Sequence, residues 1–397
     1  MSTVLPNDII TEIINNTDLP TLVELCKTSK LTHQLCNNNN FFNVFLNHRR
    51  QIACGHAFTY IIFNNQLYSF GANDFGQLGL GNYNFYDTPQ LVNLKNPISV
   101  SCGIDFAIVW TKDGLYGCGE NKIGQLGTGD NIKKNNKFRK IDLDDIIAVV
   151  TGQNHTLVLT RTGLYGFGYN VNGQLGLGNI KFMYNVPTRI DINHYDIKSI
   201  QCGDDHTIIT TQNNIYGFGS NYYGQLLDCT NCIKPTVLNI KQIGFDHIAV
   251  KDARFTATSD KTYIFDKERL WGCGDNMYGD LGIGNQNNIK KLTLIDIEGV
   301  DYVSGGEHFT IFVKDSDIYG CGNNLQGQLS LQNKKAITSI PTWIGSIDYE
   351  IVDVTSGGAH TIVQCIIDDN YVFYAFGNND YGQLGIPNNN GIQVIKI

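Results

Sequence analysis

Leu115–Gly127, LYGCGENKIGQLG, decides the fold because the chain writes it seven times. The other copies are LYSFGANDFGQLG from Leu67, LYGFGYNVNGQLG from Leu164, IYGFGSNYYGQLL from Ile215, LWGCGDNMYGDLG from Leu270, IYGCGNNLQGQLS from Ile318 and FYAFGNNDYGQLG from Phe373. Their starts lie 48, 49, 51, 55, 48 and 55 residues apart. Every copy keeps G-x-N-x-x-G-Q/D-L, with the first Gly at Gly71, Gly119, Gly168, Gly219, Gly274, Gly322 and Gly377. A fixed period of this length marks stacked modules, each one supersecondary unit.

A second element lies upstream of each copy. It reads IACGHAFTYII, VSCGIDFAIVW, VVTGQNHTLVL, IQCGDDHTIIT, VSGGEHFTIFV and VTSGGAHTIVQ, with a degenerate IAVKDARFTAT before Leu270. These runs are apolar and β-branched, so they read as strands. Lys112-Asp113-Gly114, Arg161-Thr162-Gly163 and Asn213-Asn214 supply tight hairpin turns to the aromatic strand that follows. After each G-Q-L a loop leads to another short strand, often opened by Pro: Pro89, Pro187, Pro235 and Pro341. Each unit therefore holds about four short strands. The fold expected is mainly β, a seven-bladed β-propeller closed by pairing of the propeller's first strand, near Ile52, with the C-terminal strand that ends at Ile397.

Composition agrees with one large buried core plus a small unit. Of 397 residues, 42% are hydrophobic and 17% charged, with 42 Gly and only 8 Pro. A net charge of −8 gives no electrostatic pull toward nucleic acid or an anionic membrane. No apolar run approaches the ~20 residues of a spanning helix, and MSTVLPNDIITEII lacks the form of a signal peptide. An intracellular protein, cytoplasmic or nuclear, is expected. Eleven Cys argue against a secreted disulfide framework, and most recur beside the repeat glycines, as buried fillers would. The abundance of Asn, including Asn37 to Asn40, reads as codon bias.

The G-x-N-x-x-G-Q-L-G core and the G-x-x-H-T strand resemble the repeat of the regulator of chromosome condensation family over residues 51–397. The resemblance implies a seven-bladed propeller whose polar residues just before the repeat His or Phe line one face. On that pattern Asp105, Asn154, Asp205 and Glu307 are the propeller-face candidates. The family's nuclear member promotes nucleotide release from a Ran-type small GTPase. The 48–55 residue periods leave little room for the extra hairpin that such exchange uses.

Residues 1–48 differ in character, and the domains expected are 1–48 and 49–397. Ile9, Ile10, Ile13 and Ile14 form a helical stripe, Asp18 with Leu-Pro-Thr suits a helix start, and Leu22, Leu25 and Cys26 continue the apolar side. LPNDIITEII and DLPTLVELCKTSKLTHQLC resemble an F-box, with Phe41 and Phe42 where that family usually has Trp. This resemblance implies a small all-α segment that docks a Skp-type adaptor of a cullin ubiquitin ligase through Leu5, Pro6, Ile9, Leu19, Leu22 and Leu25. The plainer reading is a helical cap on the propeller.

Catalytic signals are weak. A nucleotide-binding glycine turn joins one strand to a helix, whereas this turn recurs seven times among strands. His155, His206, His308 and His360 share a repeat position with Phe58, Phe106 and Phe255, which makes it a packing site with one satisfied ring nitrogen. Cys229-x-x-Cys232 has a metal-compatible spacing but no second ligand pair in sequence, so a variable loop is favoured. No cofactor, metal or catalytic residue is expected. The function expected is protein binding, as the substrate-recruiting adaptor of a Skp-cullin-F-box type ligase with an unknown target protein on the propeller. The alternatives are a guanine-nucleotide exchange factor for a Ran-type small GTPase and a plain propeller scaffold. Tyr83, Phe85 and Tyr86 exemplify loop side chains available to a target.

Overall fold

The computed structural model describes residues 50–229, 232–239, 253–331, 336–368, 370–387 and 391–397. The expected all-α segment 1–48 lies outside them. Seven four-stranded antiparallel sheets form the described chain, each from strands consecutive in sequence. Blade one comprises β1 (Ile52–Cys54), β2 (Phe58–Phe63), β3 (Gln66–Gly71) and β4 (Tyr86–Val92). Blade two runs from β5 (Pro97–Cys102) to β8 (Lys134–Ile141), blade three from β9 (Ile146–Thr151) to β12 (Met183–Ile190), and blade four from β13 (Ile197–Cys202) to β16 (Thr236–Val237). Blade five runs from β17 (Arg254–Thr258) to β20 (Ile289–Ile295), blade six from β21 (Tyr302–Gly305) to β24 (Ile337–Ser346), and blade seven from β25 (Glu350–Ser356) to β28 (Gln393–Ile395).

The first strand of each blade lines a central channel. The second strand is buried nearly throughout, as in Phe58–Phe63 and His155–Thr160, because neighbouring blades cover both its faces. Pro89, Pro187 and Pro341 sit within the outermost strands, where the ladder shifts register, rather than at the strand starts. An edge strand tolerates the missing N–H there.

The ring does not close by strand exchange. β1 pairs with β2, and β28 pairs with β27 (Asn370–Gly377), so among the described residues the expected pairing of first and last strands is absent. Blade seven instead packs on blade one as any blade packs on the next. Ile52, Ile61 and Phe70 share a core with Ile362, Ala375 and Leu384.

Backbone hydrogen bonds circle the channel at one level. His56 N–H donates to Ile104 O (3.1 Å), Ile104 N–H to Gln153 O (2.9 Å), Gln153 N–H to Asp204 O (3.2 Å) and Asp204 N–H to Ser259 O (2.7 Å). Ser259 Oγ then donates to Gly306 O (2.8 Å), Glu307 N–H to Gly358 O (3.3 Å), and Gly358 N–H returns to His56 O (2.9 Å).

Beside that ring sits a column of aromatic residues. Phe58, Phe106, His155, His206, Phe309 and His360 each pair with the first Gly of their own loop motif. Each ring lies where a Cβ on the Gly three residues earlier would fall, which excludes any side chain at Gly55, Gly103, Gly152, Gly203, Gly306 and Gly357. The repeat position is therefore Phe309 in blade six, not His308. In blade five it is Lys261, since Phe255 lies on the innermost strand opposite Ile264.

Blade five makes three linked exchanges. Lys261 replaces the ring, Thr258 replaces the Gly that the ring requires, and Asp280 replaces the Gln of the G-Q-L motif. Lys261 Nζ meets Asp280 Oδ2 at 2.7 Å with both side chains fully buried. Burial pulls the ammonium's pKa down, but the charge and hydrogen bond of Asp280 outweigh it and leave Lys261 raised. Removing one partner strands a buried charge, typically at about 3–5 kcal/mol, whereas apolar replacement of both is often neutral. Urea unfolding should accordingly find Lys261→Ala about 3–5 kcal/mol less stable. The triple variant Thr258→Gly, Lys261→Phe, Asp280→Gln should recover most of that loss, and a triple variant as unstable as Lys261→Ala would contradict the linkage.

Candidate functional site

In a four-stranded meander the first and third connections lie at the same end of the sheet. A bond in every blade ties them together here: Ala72 N–H to Ala57 O (2.8 Å), Glu120 to Asp105 (2.9 Å), Tyr169 to Asn154 (3.0 Å), Ser220 to Asp205 (2.8 Å), Asp275 to Asp260 (3.0 Å), Asn323 to His308 (2.7 Å) and Asn378 to Ala359 (2.8 Å). One face of the propeller thus carries all seven inner turns, around the channel mouth, with all seven G-x-N-x-x-G loops outside them.

The loops are held by their motif residues. The Asn side-chain oxygen accepts the Leu N–H five residues on in every blade, from Asn73 with Leu78 (3.0 Å) to Asn379 with Leu384 (2.9 Å). The Gln side-chain oxygen accepts the N–H two residues back, as Gln77 does from Phe75 (2.9 Å). In three blades its amide reaches across to the next blade: Gln77 Nε2 donates to Asp105 Oδ1 (3.1 Å), Gln174 to Asp205 (2.6 Å) and Gln225 to Asp260 (2.9 Å), whereas Gln125 and Gln383 bond Glu120 and Asn378 of their own blades. The first Gly holds φ near +100°, as at Gly71 (+106°), where a Cβ would strike the Ala57 carbonyl.

Three of the four propeller-face candidates share one position. Asp105, Asn154 and Asp205 directly precede the column residue, and Asp260 and His308 occupy that position in blades five and six. Glu307 lies one residue earlier, level with His56, Ile104, Gln153, Asp204 and Ser259. The sequence reading missed Asp260 and Asp204. The column residue is followed by Thr59, Thr156, Thr207, Thr262, Thr310 or Thr361, with Ala107 in blade two, and that Thr marks the register.

The mouth is acidic. Asp105, Asp204, Asp205, Asp260 and Glu307 occupy inner-turn positions that hold no Lys or Arg. Burial, and then Glu120, pushes the Asp105 carboxyl up to about 6. Burial, and then Asp260, pushes Asp204 up to about 7. Asp205 is raised by burial against the bonds from Gln174 and Asn172, and Asp260 by burial against Lys261. His56 Nε2 pairs with Glu307 Oε1 at 3.1 Å. That hydrogen bond raises the imidazole and lowers the carboxyl.

The column histidines are structural, as expected. His360 Nε2 meets Thr59 Oγ1 (2.9 Å), His155 meets Thr207 (3.4 Å) and His206 meets Thr262 (3.2 Å), each across a blade boundary. Each Thr hydroxyl gives its one proton to a Gln carbonyl: Gln383 (2.8 Å), Gln174 (3.1 Å) and Gln225 (2.8 Å). The His Nε2 must then be the donor, which assigns the neutral tautomer. Cys229 and Cys232 are joined as a disulfide, and no group of three or more metal-ligating side chains occurs among the described residues. Tyr83 and Phe85 are exposed, and Tyr86 is half-buried.

A rigid ring of repeated modules that gathers seven inner turns and seven loops on one polar face defines a β-propeller of the protein-interaction class. The chain belongs to the regulator of chromosome condensation (RCC1) repeat family. The family's repeat matches residues 64–110, 112–159, 163–210 and 315–364, and a shorter form matches 146–174 and 197–225. An F-box domain matches residues 3–43. Residues 226–314, which contain the blade with Lys261, fall between these repeat matches.

The chain is similar to the human E3 ubiquitin-protein ligase HERC2, at 27% identity over 205 residues that make up 50% of this chain and 4% of that protein. It is also similar to the ultraviolet-B receptor UVR8 of Arabidopsis thaliana, at 29% identity over 49% of this chain and 44% of that one. It thus spans less than half the length of either. Human WBSCR16 shares the fold at a TM-score of 0.68 and 22% identity, covering 80% of this chain and 87% of that one. Prp20p from Saccharomyces cerevisiae does so at 0.69 and 16%, covering 87% and 86%.

Acid sensitivity follows from the column. Burial lowers His155 to about 4, and His206 and His360 to about 3. Between those values and the ordinary 6.5 the unfolded chain binds protons that the folded one refuses. The stability that each of these histidines contributes is therefore lost as pH falls below about 6.5. Asp204 and Asp105, raised to about 7 and about 6, act in the opposite sense, each by up to one proton, because their folded forms hold a proton that the unfolded forms have released. His206→Phe, a residue that three blades already use, should lower the slope of unfolding free energy against pH between 6.5 and 4 by one proton, about 1.4 kcal/mol per pH unit. An unchanged slope in urea titrations at several pH values would contradict the assignment.

Proposed function

We propose that the chain is a substrate-recruiting adaptor. In this reading residues 1–48 dock a Skp-type adaptor through Leu5, Pro6, Ile9, Leu19, Leu22 and Leu25. The propeller, residues 49–397, holds a target protein on the face bearing Asp105, Asn154, Asp205 and Glu307. The observation that carries the reading is the F-box match at 3–43 immediately ahead of the ring. Topology supports it. Arg50 precedes β1, whose far end leads into the inner turn, so the chain enters at the face opposite the acidic mouth. The point where the described chain begins and the acidic mouth therefore lie at opposite ends of the channel. A preformed ring also spares a partner the entropic cost of ordering its site. HERC2, a relative in half of this chain, is itself named a ubiquitin-protein ligase.

The alternative, nucleotide exchange on a Ran-type GTPase, draws on the fold shared with Prp20p, whose structure is described with its binding to Gsp1p and histones. The two readings separate in one pair of assays. Mixed with a purified Skp-type adaptor, the full chain should elute as a stable complex. Leu22→Glu with Leu25→Glu should weaken that complex at least about tenfold, as loss of a central anchor does. Absence of a complex, or one indifferent to these changes, would overturn the adaptor reading. Accelerated nucleotide release from a Ran-type GTPase would favour the alternative.

A further inference from the structure

The loop residue that follows the motif Asn differs sharply around the ring. It is Asp74, Lys122, Val171 and Asp380 in blades one, two, three and seven. In blades four, five and six it is Tyr222, Met277 and Leu325, which are 78%, 59% and 71% exposed. Large apolar side chains held in water on three consecutive blades form a crest of the kind that marks an interaction surface.

The crest stands on a packed base. Tyr223 meets Tyr222 edge to face at 4.8 Å between centroids, and Tyr278 stacks on His308 at 4.2 Å. Inward of it, toward the channel, the turns of the same blades present Asp204, Asp205, Asp260 and Glu307. Lys261, of the same blades, is fully buried with Asp280. Lys290, beside Gly224, lies on the outer side. Burial raises the carboxyls of Asp204, Asp205 and Asp260, and neighbouring carboxyls add to the rise at Asp204 and Asp260, so a cation brought beside them would favour their charged forms.

We propose that blades four to six dock a protein segment that carries Lys or Arg among large apolar side chains. Its apolar residues lie across Tyr222, Met277 and Leu325, and its cation enters the mouth beside Asp204 and Asp260. Charge complementarity selects this occupant, because an acidic segment would add charge of the same sign to a mouth that holds Asp204, Asp205, Asp260 and Glu307, and an uncharged apolar one would gain nothing from them. The inference rests on the reading that this face receives the recruited target, and it names that target's chemistry.

The test uses the full chain and fluorescence anisotropy with three labelled synthetic peptides of about twelve residues, a length that crosses three blades when extended. One alternates Lys or Arg with Leu or Phe, the second has Glu for every cation, and the third has Ser for every apolar residue. The first should bind, and more weakly as salt rises, while the other two should not. Tyr222→Ser with Leu325→Ser, both exposed and therefore harmless to folding, should weaken binding about tenfold, and Asp204→Asn should do so by a similar factor at low salt. Binding of the acidic peptide, binding of the first peptide unchanged in these variants, or no binding at all would each overturn the proposal. The peptide signal does not involve the Skp-type adaptor, so failure of adaptor docking and failure of this site are read separately.

Discussion

The structure depends on the hydrogen-bonded collar around the channel. Each blade alone is four short strands that bury apolar residues on both faces, so none is complete without neighbours. The collar fixes how neighbours meet: one inner turn gives an N–H to the next and takes one from the last. Only between blades five and six does a side chain, Ser259, make the link. The aromatic column beneath leaves no room for a Cβ on the turn glycine, which lets the turns approach closely. Closure then needs no shared blade. The bond from Gly358 to His56 is the same bond made elsewhere, and the core between blades seven and one is an ordinary inter-blade core.

Blade five shows that the column is a constraint on a set of positions. Where the ring is lost, so is the glycine that served it, and the vacated space holds an ion pair whose acid occupies the Gln position. Asp280 consequently cannot reach back to its own loop as the other blades' Gln does, yet Asn276 still holds Leu281 N–H at 2.9 Å. The loop survives because its two staples act separately. The symmetric scaffold leaves variation to the loop tips, and there the blades diverge in charge and apolar exposure. That division of labour lets one rigid fold offer a distinctive surface.

Blade number, strand order and the structural role of the histidines were legible in the sequence, because each rests on spacing that repeats. Closure was not, since pairing the two ends and packing them look alike in a linear pattern. Two register slips have one cause. His308 was aligned because it is a His, but counting three from Gly306, or one back from Thr310, gives Phe309. Phe255 was aligned as the nearest aromatic, but Lys261 precedes Thr262 just as His206 precedes Thr207. Residue likeness outweighed position, and Glu307 entered the face candidates while Asp260 dropped out. The linked exchange of Thr258, Lys261 and Asp280 joins residues far apart in the chain, and only the fold brings them together. Residues 1–48 lie outside the described structure, and their reading stands on the F-box match.

Amide hydrogen exchange resolved to single residues tests the central claim most directly. If the ring closes by the same contact all round, the collar amides of His56 and Gly358 exchange as slowly as those of Ile104, Gln153 and Asp204. They should also gain exchange together with them as denaturant is added. Fast exchange at His56 and Gly358 beside protected Gln153 would reveal an open seam between blades seven and one, and would contradict the account.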